Sequence, residues 1–326
     1  MKHITILVPN EAVLASVDDP RYIFTEVNKL LEATGKQAAF DVSLVGLTKE
    51  VLLHDKSYTV HTDLLLKDVK KTDLVFIPAL TGDIKKAIAM NREFIPWINQ
   101  QYKNGAEIAS LCVGAFLLAA TGLLKGRKCS THWGRANEFR HMFPDVKLVD
   151  DKIMMEDQGL YSSGGANSYL NLLLHFIEKY TDRETAILTA KVFEIEIDRK
   201  SQATFSMFMG QRDHDDESIK KAQAFIENNY QYKITVDQLA GMFSLGRRSL
   251  ERRFKKATSI TVIEYMQRVK IESAKKSFEN SRKNILEVMN DVGYADTKAF
   301  RVIFKKITGL SPIDYRNKYN KEAMAM

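Results

Sequence analysis

The sequence predicts an α/β domain built on a doubly wound, mostly parallel sheet, followed by an all-α domain in which one helical unit occurs twice. Three observations predict it: strands alternating with helices over the first two hundred residues, a repeat at an offset of 50 in the last hundred, and a change of charge between these regions. The chain has 326 residues, enough for two domains with cores of their own. With 45% hydrophobic and 27% charged residues, disordered and fibrous classes are excluded. Cys112 and Cys129 are too few for a disulfide framework, and the start has no cleavage-site pattern. No run approaches the roughly 20 apolar residues of a membrane span, so a cytoplasmic protein away from membranes is expected.

The elements follow in order. His3–Val8 (HITILV) is a short buried strand, and Tyr22–Ala33 carries apolar residues at helical spacing. Phe40–Leu47, Leu74–Pro78 and Glu107–Leu111 repeat the strand signal, with Ile84–Lys103 helical before the last of them. Such alternation implies a parallel sheet covered on both faces, a flavodoxin-like arrangement with sites at the carboxyl ends of strands. After the strand EIASL come Cys112, Val113, Gly114 and an apolar helical run. A cysteine on that turn is either a nucleophile held near a helix N-terminus or simply a small buried residue; spacing alone favours the second.

The segment SLCVGAFLLAATGLLKGRKCSTHW resembles the elbow of PfpI-like proteins of the class I glutamine amidotransferase superfamily, and LYSSGGANSYLNLLLHFIEKY resembles that family's closing glycine turn, through Gly164, Gly165 and Asn171. The resemblance covers roughly residues 1 to 190. It implies a ligand pocket at Cys112, Val113, His132, Gly164 and Gly165, with Cys112 as candidate vestigial nucleophile and His132 as its candidate partner. Hydrolytic members place a histidine after the cysteine, or an acid after the first strand; here Val113 follows, and Glu11 is the only acid early in the first loop. The pocket therefore reads as a sensor or vestigial site, with no cofactor and no metal. A cysteine-dependent hydrolase or a redox sensor acting through Cys112 is the alternative. Residues 1–197 form the expected sensor or dimerisation domain, 198–217 a polar linker, 218–320 the helical domain and 321–326 a tail.

From Ser218 onward there are 22 Lys plus Arg against 11 Asp plus Glu, whereas the rest of the chain is mildly acidic. A basic module on an acidic body is the footprint of a nucleic-acid binder, although a solvated lysine-rich surface would look alike. The repeat decides between them. RRFKKATSITVIEY aligns with RVIFKKITGLSPIDY on Phe254 and Phe304, and TVDQLAGMFSL and NILEVMNDVGY supply a helix and turn before each copy. That is two helix-turn-helix units, whose second helices enter the major groove. With Leu250 and Phe254 inward, Arg248, Glu251 and Arg252 face bases; with Phe300 and Phe304 inward, Thr297, Lys298, Arg301 and Val302 do so. Lys255, Lys256, Lys305 and Lys306 suit phosphates.

Residues 218–320 resemble the DNA-binding domain of the AraC/XylS family, most closely over ILEVMNDVGYADTKAFRVIFKKITGLSPIDYR. Departures are Met289, where alanine is usual, and Thr261-Val262, where Ser-Pro is common. The resemblance implies a linking helix near Val262–Ser277 and a sequence-specific transcriptional regulator, an activator contacting RNA polymerase. Double-stranded DNA, a small-molecule effector and a second copy of the chain are its expected partners.

Overall fold

The computed structural model describes residues 1–197 and 199–320, which divide into two compact units, Met1–Gln202 and Ala203–Met326. The first contains the strands β1 (Lys2–Leu7), β2 (Phe40–Gly46), β3 (Glu50–Leu53), β4 (Tyr58–His61), β5 (Leu64–Leu65), β6 (Leu74–Ile77), β7 (Glu107–Ser110), β8 (Lys128–Cys129), β9 (Lys147–Leu148), β10 (Met154–Asp157) and β11 (Leu160–Ser163). Seven of them form one sheet in the order β10-β11-β7-β6-β1-β2-β5, parallel except for β10 against β11. The hairpin β3–β4 and the pair β8–β9 stand outside it.

Why β6 reads as a continuous apolar run is visible in its burial. Leu74 and Phe76 enter one core with Phe24, Val27 and Phe176, while Val75 and Ile77 enter another with Ile84, Ile98 and Phe116. Side chains alternate across a strand, so a strand covered on both faces has no polar positions. The helices on these faces are α1 (Leu14–Ala33), α2 (Ile84–Met90), α3 (Phe94–Lys103), α4 (Ala115–Ala120), α5 (Ala136–Met142), α6 (Tyr169–Tyr180) and α7 (Arg183–Val192).

Two expectations are corrected in detail. The first helix begins at Leu14 and not at Tyr22, with Pro20 buried inside it. Proline forfeits one intrahelical donor, but Val17 and Pro20 are both buried on this helix, and their packing holds the turn helical. The segment Ile84–Lys103 is two helices broken at Asn91, which is fully buried. Asn91 donates to the Asn10 carbonyl and accepts from the Asn10 N–H, both at 2.8 Å, so the break clamps the loop after β1.

The second unit comprises α8 (Glu217–Asn228), α9 (Val236–Met242), α10 (Arg247–Thr258), α11 (Val262–Asn280), α12 (Ile285–Asp291), α13 (Thr297–Thr308) and α14 (Pro312–Tyr319). It has two cores, one around Leu239, Leu250, Phe254 and Tyr265, the other around Val288, Phe300, Phe304 and Tyr315. Helix α11 serves both: Val262–Val269 pack in the first core, Ile271–Phe278 in the second. The repeat extends to buried polar contacts. Tyr265 donates to Glu227 at the end of α8, and Tyr315 donates to Glu279 at the end of α11. The Thr258 and Thr308 hydroxyls each donate at 2.8 Å to the carbonyl of Phe254 and Phe304 respectively.

The segment expected to be a linker is folded onto the units. The Gln202 side chain is buried in the first unit, and Phe208 stacks edge-on against Tyr265 in the second. The expected tail, 321–326, lies outside the described residues.

Candidate functional site

At the end of β7 the chain turns sharply through Cys112, whose φ of +54° lies in the left-handed region. A residue with a Cβ is strained there, and such strain persists only where surroundings over-determine it. Three contacts do so. The Cys112 N–H donates to the Ser163 Oγ at 3.0 Å, and the Cys112 carbonyl accepts from the Thr131 Oγ1 at 3.0 Å. Behind it, a Cβ on Gly114 would lie 2.4 Å from the Ile77 carbonyl oxygen, so only glycine lets the turn close on β6.

The Cys112 sulfur is reached by the N–H groups of Val113 and Ala166, but burial outweighs them and pushes the thiol pKa up. A thiol near a helix N-terminus is thus held protonated at neutral pH. His132 does not compensate. Its Nδ1 accepts from the Gly134 N–H at 2.9 Å, and burial, aided by Arg135, pushes its pKa down. The neutral ring therefore carries its proton on Nε2 and has no free lone pair to take one from sulfur. Among the described residues no hydrogen bond joins Cys112 to His132.

Gly164 and Gly165 earn their place by close approach. A Cβ on Gly165 would stand 2.2 Å from the His132 ring, and one on Gly164 would stand 2.9 Å from the Gln202 amide. Gln202, which the sequence did not single out, ties these parts together: its Nε2 donates to the carbonyls of Thr131 and Asp150, and its Oε1 accepts from the Gly165 N–H, each at 2.9 Å. Glu11 is exposed in its loop with φ +61°. The acid of that region in the site's vicinity is Asp19, which accepts from Tyr169; a charge on Cys112 would raise the Tyr169 phenol further. Asn171 donates to the Glu196 carbonyl at 2.6 Å. Among the described residues no cluster of His, Cys, Asp or Glu could hold a metal ion, and no helix is long and apolar enough to cross a membrane.

The second candidate site is the face of α10 and α13. Leu250 and Phe254, and Phe300 and Phe304, are fully buried, which turns the intervening positions outward. Arg248, Glu251, Arg252, Lys255 and Lys256 are exposed on α10, as are Lys298, Arg301, Lys305 and Lys306 on α13; Val302 is 58% exposed, and Thr297 is half-buried. The pairing of charges separates two groups. Arg253 forks onto Asp216 at 2.7 and 2.8 Å, and Arg247 contacts Asp237 at 3.0 Å and Glu251 at 3.3 Å. Among the described residues Arg248, Arg252, Lys255, Lys256, Lys298, Arg301, Lys305 and Lys306 carry no ion pair. Their positive charge is uncompensated among the described residues. Each helix ends in a left-handed residue, Ser259 or Gly309, that turns the chain away.

Comparison with known proteins assigns both units. The DJ-1/PfpI family model matches residues 14–179. The chain belongs to the DJ-1/PfpI family. A helix-turn-helix domain model matches residues 239–318, so this family member carries an AraC-type domain behind its α/β domain. The transcriptional regulator GbdR of Pseudomonas aeruginosa is 25% identical over 232 residues, covering 70% of this chain but 62% of GbdR. The chain thus spans less than two thirds of that relative's length. The regulator CdhR of the same organism is 22% identical, over 80% of this chain and 77% of CdhR. An AraC family transcriptional regulator from Pseudomonas putida has a similar fold, with a TM-score of 0.50 and 17% identity over 59% of this chain and all of that one.

Proposed function

We propose that the chain is a sequence-specific, DNA-binding transcriptional regulator whose DJ-1/PfpI domain senses a small metabolite or mediates dimerisation. The observation that carries this is the set of eight exposed cations on α10 and α13 that have no ion pair among the described residues, in a domain where neighbouring arginines are neutralised. Exposed charges left without partners twice, at repeat-related positions, suit a polyanion better than they suit stability. The names of GbdR and CdhR agree with this reading.

In this account Arg248, Glu251 and Arg252 from one helix, and Thr297, Lys298, Arg301 and Val302 from the other, meet base edges. Lys255, Lys256, Lys305 and Lys306 meet phosphates. Glu251 must exchange Arg247 for a cytosine amino group to take part. A homodimer and contact with RNA polymerase complete the proposal. The elbow around Cys112, Val113, His132, Gly164 and Gly165 serves as a sensing or structural feature and not as a nucleophilic centre, since the base it needs is already committed as an acceptor.

The test is retention of fragmented genomic DNA by the purified chain, with sequencing, beside a variant carrying Arg252→Ala and Arg301→Ala. Enrichment of a few promoter regions, lost in the variant, is expected. Diffuse binding that the substitutions leave unchanged would overturn the assignment.

A further inference from the structure

The second unit holds a groove of about 240 Å³ that no residue of α10 or α13 lines. Its walls are the segment joining α8 to α9, one face of α11, and Gly293 and Tyr294 in the turn between α12 and α13. Most of the lining is apolar or aromatic: Ile226 is buried, and Tyr230, Ile234, Met266 and Tyr294 are half-buried. Among the described residues no aspartate or glutamate lines it. Of its two cations, Lys233 is exposed and Lys270 is half-buried. The Lys270 ammonium donates to the carbonyls of Val292 at 2.9 Å and Gly293 at 3.2 Å, and lies 5.5 Å from the centre of the Tyr294 ring. An ammonium has three N–H donors, so one is left without a partner among the described residues. The acids of its own helix are engaged elsewhere, Glu264 by Arg268 at 3.0 Å, Glu272 by Lys275 at 2.8 Å and Glu279 by Tyr315. Burial therefore pushes the Lys270 pKa down with no carboxylate to offset it. A half-buried cation without a counter-charge is a costly arrangement that a bound anion relieves.

We propose that this groove binds a small aromatic acid, its carboxylate taking the third N–H of Lys270 and its ring lying among Tyr230, Met266 and Tyr294. The volume falls below the range of about 300–1,000 Å³ in which drug-sized ligands sit, which limits the occupant to roughly one ring. Tyrosine rings and a thioether favour an aromatic body through edge and offset contacts, whereas a bare phosphate would leave that wall uncovered. A partly desolvated ammonium discriminates an acid from its amide, because the charge-assisted bond is the stronger. Local backbone geometry holds the lysine in place. A Cβ on Gly293, whose φ is +72°, would stand 2.2 Å from the Gln231 carbonyl oxygen and 2.7 Å from the Lys270 ammonium, so glycine lets the turn close on both. The occupant touches the turn that leads into α13, which places a ligand contact within the helical unit, separate from the elbow of the first.

The experiment uses the full chain with para-fluorobenzoate and its uncharged amide, para-fluorobenzamide, each followed by fluorine NMR. The benzoate should bind saturably, one per chain, and roughly ten-fold tighter than the amide, about what one hydrogen bond to a charged group contributes. Ile263 lines the groove and is 52% exposed, so Ile263→Glu sets a like charge beside the carboxylate without entering the core. It should weaken the benzoate by a similar factor with the thermal transition unchanged. Lys270→Met should remove the preference for the acid, and the Ile263 variant decides the matter should that substitution unfold the unit. Equal affinity for both compounds, unaltered benzoate binding in Ile263→Glu, or displacement by an equal concentration of inorganic phosphate would overturn the assignment. DNA takes no part in the measurement, so its outcome is independent of whether α10 and α13 read bases.

Discussion

Replacing Lys255, Lys256, Lys305 and Lys306 together by glutamine should flatten the salt dependence of DNA binding. All four are exposed and none is ion-paired among the described residues, so each is free to displace one condensed counterion. At about 0.9 per neutralised phosphate, the four account for roughly 3.6 in the slope of log affinity against log salt. A three-fold rise in salt should then weaken the native chain about 50-fold more than the variant. Fluorescence anisotropy on a labelled duplex at several salt concentrations measures both slopes. The substitutions lie in the last turns of α10 and α13, pointing away from Phe254 and Phe304, so the fold should survive them. Equal slopes in the two proteins would refute the phosphate assignment, whatever the affinities.

Other outcomes follow from single contacts. Alkylation of Cys112 by iodoacetamide should be slow at pH 7 and keep rising through pH 9, because burial raises its pKa; Cys129, pushed up to about 12, should be slower still, and a plateau below pH 7 for Cys112 would contradict this. Ser259→Gly should stabilise the second unit by about 1 kcal/mol in urea unfolding, since it relieves a φ of +63° at the position where the other repeat has glycine. Gly165→Ala should cost about 1–3 kcal/mol by driving a methyl into the His132 ring, and adding His132→Ala should recover part of that loss; additive effects would show that the contact is not the cause. Asp216→Asn should destabilise at pH 7, because the Arg253 fork holds the Asp216 carboxyl below its usual range. A depressed folded-state pKa contributes stability above the unfolded value near 4 and loses it as pH falls through the folded one, so native and variant melting temperatures should converge in acid.

The helical half was legible because its information is local and duplicated. Phe254 and Phe304 fix the inner face, the offset of 50 aligns the copies, and the outward residues follow from helical spacing alone. Pairing was not legible: that Arg247 and Arg253 are neutralised while Arg248 and Arg252 are not depends on Asp237 and Asp216, which lie on other elements. The α/β half showed its central strands, since β6 is wholly apolar and β1 and β7 each carry buried apolar residues at their centre, but not β8 to β11, which are two to four residues long and partly polar, so that no apolar run marks them. Cys112 could be found from the turn, and His132 and the glycine pair from the resemblance. Gln202 could not: a glutamine among polar residues gives no signal that its amide is buried against the backbone carbonyl of Thr131.

The central claim is that two repeat-related helices read DNA independently. Selection of bound duplexes from a random pool tests it most directly. The account predicts two conserved blocks about one helical turn apart, roughly 10 base pairs, with Arg252→Ala erasing one block and Arg301→Ala the other. Recovery of a single block unaffected by either substitution, or of no consensus at all, would contradict it.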